Sequence, residues 1–351
     1  MAQGASCTLT PRVLGSLHVA KVHNEQKKTI TSLDFFQSGD ACLTASQDDS
    51  LCLYDCHEGK IIKMLPSKKY GCHVARFTHH RNNVIHASTK GDDTIRYLSL
   101  HDNRYLRYFR GHKARVTALE MNPVNDTFLS ASLDGTIRLW DLRSDNCQGV
   151  LHLDGAIVMG WDQAGEVFAA GQSGGDIRLY ALESLDKGPF QVFPLNSFIG
   201  GHVTAPLRWT GLKFSNDGLS LLVTTDGECH YILDAFTGIV KRRLSGHNAI
   251  TNGSGDEANF TPDGQYVIGG SEDGTVHIWQ VNAAIDAPAI AQHEGHTGPV
   301  HAVGWNPKLA VMVTCSNETV SIYGGRLWMD GCMHVWLANG TDTRSPCDSS
   351  C

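Results

Sequence analysis

Alternating apolar and polar positions predict two short β-strands in the segment TFLSASLDGTIRLWDLR, residues 127–143. Thr127–Ser132 combines β-branched, aromatic and small residues, and Thr136–Trp140 alternates apolar with polar side chains, as strands do. The LDG sequence at 133–135 separates them, and Asp and Gly tolerate the dihedral angles of a tight hairpin turn. Gly111-His112 precedes this pair of strands. Gly-His, two strands and Trp-Asp, in this order, are typical of one blade of a β-propeller.

The same pattern recurs along the chain. Gly-His returns at 201–202, 246–247 and 295–296, and readable turn sequences return at 48–55, 92–98, 174–180 and 272–279. Aligned on Trp140, the copies are centred at Tyr54, Tyr97, Trp140, Tyr180, Ile232, Trp279 and Trp336. Seven copies at steps of about 45 residues predict an all-β fold, a seven-bladed WD-repeat β-propeller.

The repeats also set the expected domain bounds. We expect a single propeller over residues 11–338, because each blade of a ring packs on its neighbours, with disordered tails at 1–10 and 339–351. Val13–Val22 is a strand run without a blade of its own, and we expect this N-terminal strand to complete the last blade and close the ring. Trp336 follows Trp279 by 57 residues, so residues 318–332 are interpreted as an insertion in the last blade.

Composition narrows the class of protein. A net charge of −7 and a pI of about 6.2 do not indicate sequence-specific nucleic-acid binding. No run of 18 apolar residues is present, and the N-terminus lacks the apolar core of a signal peptide, so we expect neither a membrane span nor secretion. The eleven cysteines include no C-x-x-C pair and no zinc-ligand spacing. These features predict a cytosolic or nuclear protein with reduced cysteines and without a metal or cofactor.

Two constellations resemble catalytic sites. His112, Ser132, Asp134 and Trp140 are expected to form a buried hydrogen-bond network, repeated in the sixth blade by His247, Ser271, Asp273 and Trp279. A His–Ser–Asp set also resembles a hydrolase triad, but a set that recurs from blade to blade indicates architecture. The G-x-S-x-G match at 171–175 requires a strand-to-helix turn and falls here between two predicted strands. We therefore expect no enzyme activity.

One dense basic and aromatic segment remains, RYLRYFRGHKAR at 104–115. It spans the predicted outer strand of blade two and the loop that enters blade three. Its exposed cations, with two lysines of the preceding loop, are candidates for binding a phosphate or an acidic peptide: Lys68, Lys69, Arg110, Lys113 and Arg115. The alternative is a solvated edge strand protected from aggregation by its charge.

Several longer segments extend the pattern beyond a generic WD repeat, among them YDCHEGK at 54–60, DDTIRYLSLHDN at 92–103, WTGLKFSNDG at 209–218 and HTGPV at 296–300. In these segments the chain resembles the small WD-repeat subunit of the COMPASS histone methyltransferase complex, the Swd-two family, over residues 13–317 and 333–337. The resemblance implies a nuclear, non-catalytic scaffold in a histone H3 lysine-four methyltransferase complex.

The partners implied by this resemblance are the catalytic subunit, the other COMPASS subunits and the phosphorylated tail of transcribing RNA polymerase II. Alternatively, the chain is a subunit of the mRNA cleavage and polyadenylation factor or of a phosphatase scaffold, or it is a generic WD-repeat adaptor.

Overall fold

The computed structural model describes residues 5–172, 175–194, 207–250, 253, 255–324 and 335–337. Seven four-stranded antiparallel sheets follow one another along the chain, which confirms the seven-bladed propeller. From the inner to the outer strand, blades one to three are Ile30–Phe35, Ala41–Ser46, Ser50–Asp55 and Lys60–Pro66; Ala75–Phe77, Asn83–Ala87, Ile95–Ser99 and Arg104–Phe109; and Val116–Met121, Thr127–Ser132, Thr136–Asp141 and Cys147–His152.

The remaining blades have the same order. Blades four to six are Ile157–Trp161, Val167–Gln172, Ile177–Ala181 and Gln191–Phe193; Trp209–Phe214, Ser220–Thr225, Cys229–Asp234 and Val240–Ser245; and Ala258–Phe260, Tyr266–Gly270, Thr275–Gln280 and Ala291–Glu294. Blade seven is Ala302–Trp305, Val311–Cys315, Val320–Gly324 and the N-terminal strand His18–His23. The short helices are Pro11–Gly15 and a 3-10 turn, Leu182–Lys187.

The apolar core lies in the seams between neighbouring blades. In the seam between blades two and three, for example, Ile85 and Phe109 pack against Phe128 and Trp140. Each sheet therefore buries both faces, one against each neighbour, and the ring has no independent hydrophobic centre.

The N-terminal strand closes the ring, as predicted, but the predicted run Val13–Val22 is wrong at its start, because residues 13–15 belong to the helix Pro11–Gly15. His18–His23 pairs antiparallel with Val320–Gly324 and supplies the outer strand of the last blade. The expectation of a disordered tail over 1–10 is wrong for the part that the structure describes. Ala5–Cys7 is a strand, Leu9 is buried in the core, and the Thr10 side chain caps the helix Pro11–Gly15. Residues 1–4 and 338–351 lie outside the described residues, so the predicted tail at 339–351 does too.

The third strand of the last blade lies where the sequence analysis placed an insertion. Val320–Gly324 pairs with Val311–Cys315 on its other side, and Tyr323 stands opposite Met312 as Trp140 stands opposite Phe128. The interpretation of 318–332 as an insertion is therefore wrong for residues 318–324, and residues 325–334 lie outside the described residues.

Trp336 is not a member of blade seven. Its strand, Val335–Leu337, instead pairs in parallel with Ala5–Cys7. The aligned position belongs to Tyr323, only 44 residues after Trp279, a spacing close to that of the other blades.

The loops divide between two faces. Connections between blades, and the turns between second and third strands, lie on what we call the upper face. The other hairpin loops lie on the lower face, where side chains link successive blades. His79 Nε2 contacts the Asn122 carbonyl oxygen at 3.1 Å, Asn122 Nδ2 donates to the Gly165 carbonyl at 2.8 Å, and Asn306 Nδ2 donates to the Gly39 carbonyl at 2.7 Å. These bonds fix neighbouring blades at their lower edges.

Charged side chains of the inner strands meet on the ring axis. Arg76 donates to both carboxylate oxygens of Asp256, at 3.1 and 3.0 Å, and to Glu120 at 3.3 Å. Lys213 donates to Asp256 at 3.1 Å, and Asp34 accepts from the Phe77 backbone at 2.7 Å. This axial cluster joins five blades and separates an upper cavity of about 670 Å³ from a lower one of about 180 Å³.

Candidate partner-binding site

The five cations singled out in the sequence lie in two adjacent connections of the upper face. Lys68 and Lys69 follow the outer strand of blade one, and Arg110, Lys113 and Arg115 lie between blades two and three. All five side chains are exposed. None of them forms an ion pair with an acid in the part of the chain that the structure describes, whereas eleven other lysines and arginines there do. Their positive charge is therefore available to an external anion.

Aromatic rings organise the outer part of this surface. The Lys69 ammonium lies 4.9 Å from the centre of the Tyr70 ring, and the Arg110 guanidinium lies 5.6 Å from that of Tyr108. A hydrogen bond from Lys69 lowers the pKa of the Tyr70 hydroxyl. Tyr105 stands between the two rings, 5.5 Å from Tyr70 and 5.9 Å from Tyr108. The structure thus brings Lys69 and Arg110 to one tyrosine cluster.

The sequence analysis missed a buried arginine beneath these tyrosines. Arg96 lies 3.7 Å from the centre of the Tyr70 ring and pairs with Asp92 at 2.9 Å. Its side chain is almost fully buried, so it supports the rings and takes no part in the exposed surface. The sequence signal for this tyrosine cluster is the repeated placement of a tyrosine after a basic residue, at 69–70, 104–105 and 107–108.

Arg115 lies at a second place on the upper face. Its side chain lines the upper cavity, close to His73. Burial and then the positive charge of Arg115 lower the pKa of His73 to about 4, so the imidazole stays neutral at physiological pH. Lys113 lies between the two places, and its backbone N–H donates to Asp134 at 2.9 Å. Lys69 and Arg110 therefore lie at the tyrosine cluster, and Arg115 lies at the upper cavity.

The hydrogen-bond network of blade three contains Ser130, not the predicted Ser132. His112 Nδ1 contacts Asp134 at 3.0 Å, its Nε2 contacts Ser130 Oγ at 2.7 Å, and Trp140 Nε1 donates to Ser130 Oγ at 2.8 Å. Ser132 donates instead to the Ala114 carbonyl at 2.7 Å. Both serines are on the same strand two positions apart and face the same side, so their spacing in the sequence does not distinguish them.

This network fixes protonation states that suit a structural role. Burial lowers the pKa of His112, against the opposing effect of Asp134. Burial raises the pKa of Asp134, but hydrogen bonds from Thr136, the Lys113 backbone and His112 together hold it below its usual value. The carboxylate is therefore ionised and the indole and imidazole have partners, as buried polar groups require.

The predicted repetition of this network in blade six is wrong. Gly269 occupies the position of Ser130, and Trp279 Nε1 donates to the Ser245 carbonyl at 3.0 Å. Ser271 accepts from the Asn248 backbone at 2.9 Å, and Asp273 accepts from the Thr275 hydroxyl at 2.6 Å. His247 bonds neither of them.

His247 instead stacks on a second buried histidine, His230, with ring centres 4.2 Å apart. Blade seven carries a network that the sequence analysis did not predict, because threonine replaces serine. His296 contacts the Thr314 hydroxyl at 2.6 Å and the Thr319 hydroxyl at 2.9 Å.

Local structure around the G-x-S-x-G match does not suit a nucleophile. Ser173 and Gly174 lie outside the described residues, but the flanking elements are the strands Val167–Gln172 and Ile177–Ala181 of one sheet. The motif acts at a strand-to-helix turn, and a strand follows here. Over the described ranges no group of three or more His, Cys, Asp or Glu side chains is arranged to hold a metal ion. Within those same ranges no helix has the length and apolarity of a membrane span.

The axial cluster is the other concentration of titratable groups. Burial raises the pKa of Asp34 to about 7, although Arg76 opposes this effect. Burial also raises the pKa of Glu120, while Arg76 and Lys213 overcome the same effect at Asp256 and lower its pKa. Arg76 and Lys213 therefore offset the negative charge of buried carboxylates that come from different blades.

Comparison with known proteins identifies the repeats and the family. The WD domain, G-beta repeat, matches residues 15–55, 103–141, 238–280 and 289–324. The chain is 46% identical over 310 residues to WD repeat-containing protein 82 of Drosophila melanogaster, covering 88% of this chain and 95% of that protein. It is 38% identical over 327 residues to the COMPASS component SWD2 of Saccharomyces cerevisiae, covering 89% and 96%.

A third relative, the Set1 complex component swd2 of Schizosaccharomyces pombe, is 52% identical over 210 residues, covering 60% of this chain and 57% of that protein. Similarity of this extent, on the propeller that the structure describes, shows that the chain belongs to the WD-repeat family of Swd2 and WD repeat-containing protein 82.

Proposed function

We propose that this chain is a non-catalytic scaffold subunit of a COMPASS-type histone H3 lysine-four methyltransferase complex in the nucleus. The observation that supports it most is the likeness over nearly the whole propeller to a protein named as a COMPASS component. Ser130 lies within reach of His112, which contacts Asp134, but Ser130 is fully buried and its hydroxyl also accepts from the Trp140 indole, so this set agrees with a structural role in a binding protein. Its partners are the catalytic subunit and other subunits of that complex.

The same scaffold links the complex to the phosphorylated tail of RNA polymerase II through Lys68, Lys69, Arg110, Lys113 and Arg115. These cations have no ion-pair partner within the described residues and share one face with exposed Tyr108. A phosphate carries nearly two negative charges, which arginine binds through paired hydrogen bonds and lysine as a point charge. In a chain of net charge −7, attraction of such a ligand depends on this local concentration of positive charge.

A peptide titration tests the polymerase link. Binding of a phosphorylated polymerase-tail peptide is measured at physiological salt with wild type and with Arg110→Glu/Lys113→Glu. We expect the double variant to abolish binding, because two lost charged contacts at about 1.5–3 kcal/mol each correspond to a loss of about a hundredfold or more. The matched control, Lys187→Glu/Lys308→Glu, changes net charge equally at exposed sites of the lower face and should bind as wild type does.

Two results would contradict this assignment. Unchanged affinity in a folded Arg110→Glu/Lys113→Glu variant would mean that residues 104–115 do not bind the peptide and are only a charged strand edge. Equal loss in the control would mean that net charge, not this site, governs binding. Circular dichroism establishes that each variant is folded.

Affinity purification with mass spectrometry tests the complex itself. We expect methyltransferase-complex subunits to be recovered with the tagged full-length chain from nuclear extract. Polyadenylation-factor or phosphatase-scaffold subunits alone would favour the alternative role of the same propeller. Recovery of only non-nuclear complexes would overturn the nuclear assignment.

A further inference from the structure

Exposed apolar side chains are concentrated on the lower side of blades four to six. Among the described residues, seven of the fifteen exposed large apolar side chains lie there, on one of the two faces of three of the seven blades. Phe236 has 68% of its surface exposed, the largest fraction among them. We call this set the lower apolar surface: Phe190, Val192, Leu219, Phe236, Ile239, Ile285 and Ile290. Concentrated apolar exposure of this kind marks a contact surface for another molecule.

Backbone contacts show that these residues are neighbours. The Ala235 N–H, beside Phe236, donates to the Leu219 carbonyl at 3.2 Å, which joins the two lower loops of blade five. Gly238 lies against the Phe193 ring of blade four, where an added Cβ would come within 2.3 Å of it. On the other side, the Arg243 N–H of blade five donates to the Ile285 carbonyl of blade six at 2.8 Å. The loops and strand ends that carry these side chains are therefore adjacent across three blades.

The charge around this surface is negative. Glu183, Asp186, Asp217 and Asp263 are exposed on lower loops of blades four to six, and Lys187 is exposed beside the first two. None of the five forms an ion pair with any residue that the structure describes, so the acids outnumber the unpaired cation. The nearby cations Lys241 and Arg243 are each matched by an aspartate, at 3.0 Å to Asp234 and 2.6 Å to Asp286. A complementary partner must therefore combine apolar side chains with flanking positive charge.

From these observations we propose that the lower apolar surface binds an apolar segment flanked by lysine or arginine in a partner protein. Phe236 and Ile239 are its central contacts, and the surrounding acids select the basic flanks and steer association. The unpaired cations lie on the opposite face, so an acidic ligand and this basic segment occupy the ring at the same time. The surface does not depend on the polymerase link proposed above.

Selection from a random peptide library tests the proposal. A phage-displayed library of unphosphorylated 16-residue peptides is selected on the full-length chain, and enriched peptides are then synthesised and titrated. We expect enriched sequences to carry apolar residues with lysine or arginine flanks. Phe236→Ser/Ile239→Ser should weaken their binding at least tenfold, and Glu183→Lys/Asp186→Lys should weaken it and reduce its salt dependence.

The matched control is Leu106→Ser/Val124→Ser, which removes two equally exposed apolar side chains outside this surface. It should bind the selected peptides as wild type does, and so should Arg110→Glu/Lys113→Glu. All these positions are exposed, so melting temperatures should stay close to that of wild type.

Three results would overturn the proposal. One is that no peptide is enriched, and another is that enriched peptides are acidic. The third is self-association of the chain that Phe236→Ser/Ile239→Ser abolishes, because the surface would then bind a second copy.

Discussion

Replacing Trp140 with alanine tests how the blades are held together. The indole is fully buried between blades two and three, 5.6 Å from the Phe109 ring and 6.3 Å from the Phe128 ring. Loss of a buried ring of this size costs about 3–5 kcal/mol of unfolding free energy. The lost indole N–H also removes one partner of Ser130, which adds about 1 kcal/mol. We therefore expect Trp140→Ala to lose about 4–6 kcal/mol.

Urea unfolding followed by circular dichroism measures this loss. Trp140→Phe is the control, because it keeps most of the ring and removes only the donor and part of the volume. We expect it to lose about 1–2 kcal/mol, mainly from the missing hydrogen bond. A Trp140→Ala variant within about 0.5 kcal/mol of wild type would refute the reasoning. Equal losses in the two variants would show that the hydrogen bond, and not the packing, carries the effect.

Three further predictions concern buried charges. Asp34 has a pKa of about 7 in the fold and about 3.8 unfolded, so its own contribution to stability falls as pH rises between these values, opposite in sign to the larger joint contribution of four buried histidines. In urea titrations Asp34→Asn should be more stable than wild type at pH 8 by roughly 1–3 kcal/mol, with little difference at pH 4. His73, His86, His247 and His296 have pKa values lowered to about 4 by burial, so the melting temperature should fall as pH drops from about 6.5 to 4; a flat profile would contradict their burial as neutral groups. Arg76→Ala leaves Asp256 and Glu120 without the cation that they share, so it should lower the free energy of unfolding by about 3–5 kcal/mol. The control is Arg104→Ala, at an exposed arginine that has no ion pair in the described chain. In the same denaturation assay it should lower the free energy of unfolding by under about 0.5 kcal/mol.

The ring was predictable from the sequence because its signal repeats. Gly-His, the turn aspartates and the strand periods recur, so weak copies such as blade five could be placed by their neighbours. The prediction for the last blade was wrong because it relied on the same repeat. An alignment that favoured tryptophan selected Trp336, although Tyr323 fills the same buried position at an ordinary spacing. An aromatic ring of either kind satisfies the packing, so residue identity was a poor guide there.

Contacts between blades were not predictable. Arg76, Glu120, Lys213 and Asp256 are widely separated in the chain. The first three are single charges in strands, and Asp256 lies at the end of a Gly-rich polar stretch, so nothing in the sequence connects them. Only closure of the ring brings them together on the axis. The cations of the upper face could be found because they are close in sequence. The tyrosines beside them were visible in the sequence, but their packing was not, because Tyr70 lies in the connection before blade two and Tyr108 in the outer strand of that blade.

The pairing of His18–His23 with Val320–Gly324 has a consequence for biosynthesis. These strands are separated by about 300 residues, so the first leaves the ribosome well before the strand with which it pairs. Closing a loop of that length costs only about 2 kcal/mol more than closing one of 40 residues, because the entropy grows with the logarithm of length. The delay is therefore kinetic. Until residue 324 emerges, the nascent ring exposes an unpaired strand and an open blade seam, the surfaces on which aggregation or chaperone capture begins.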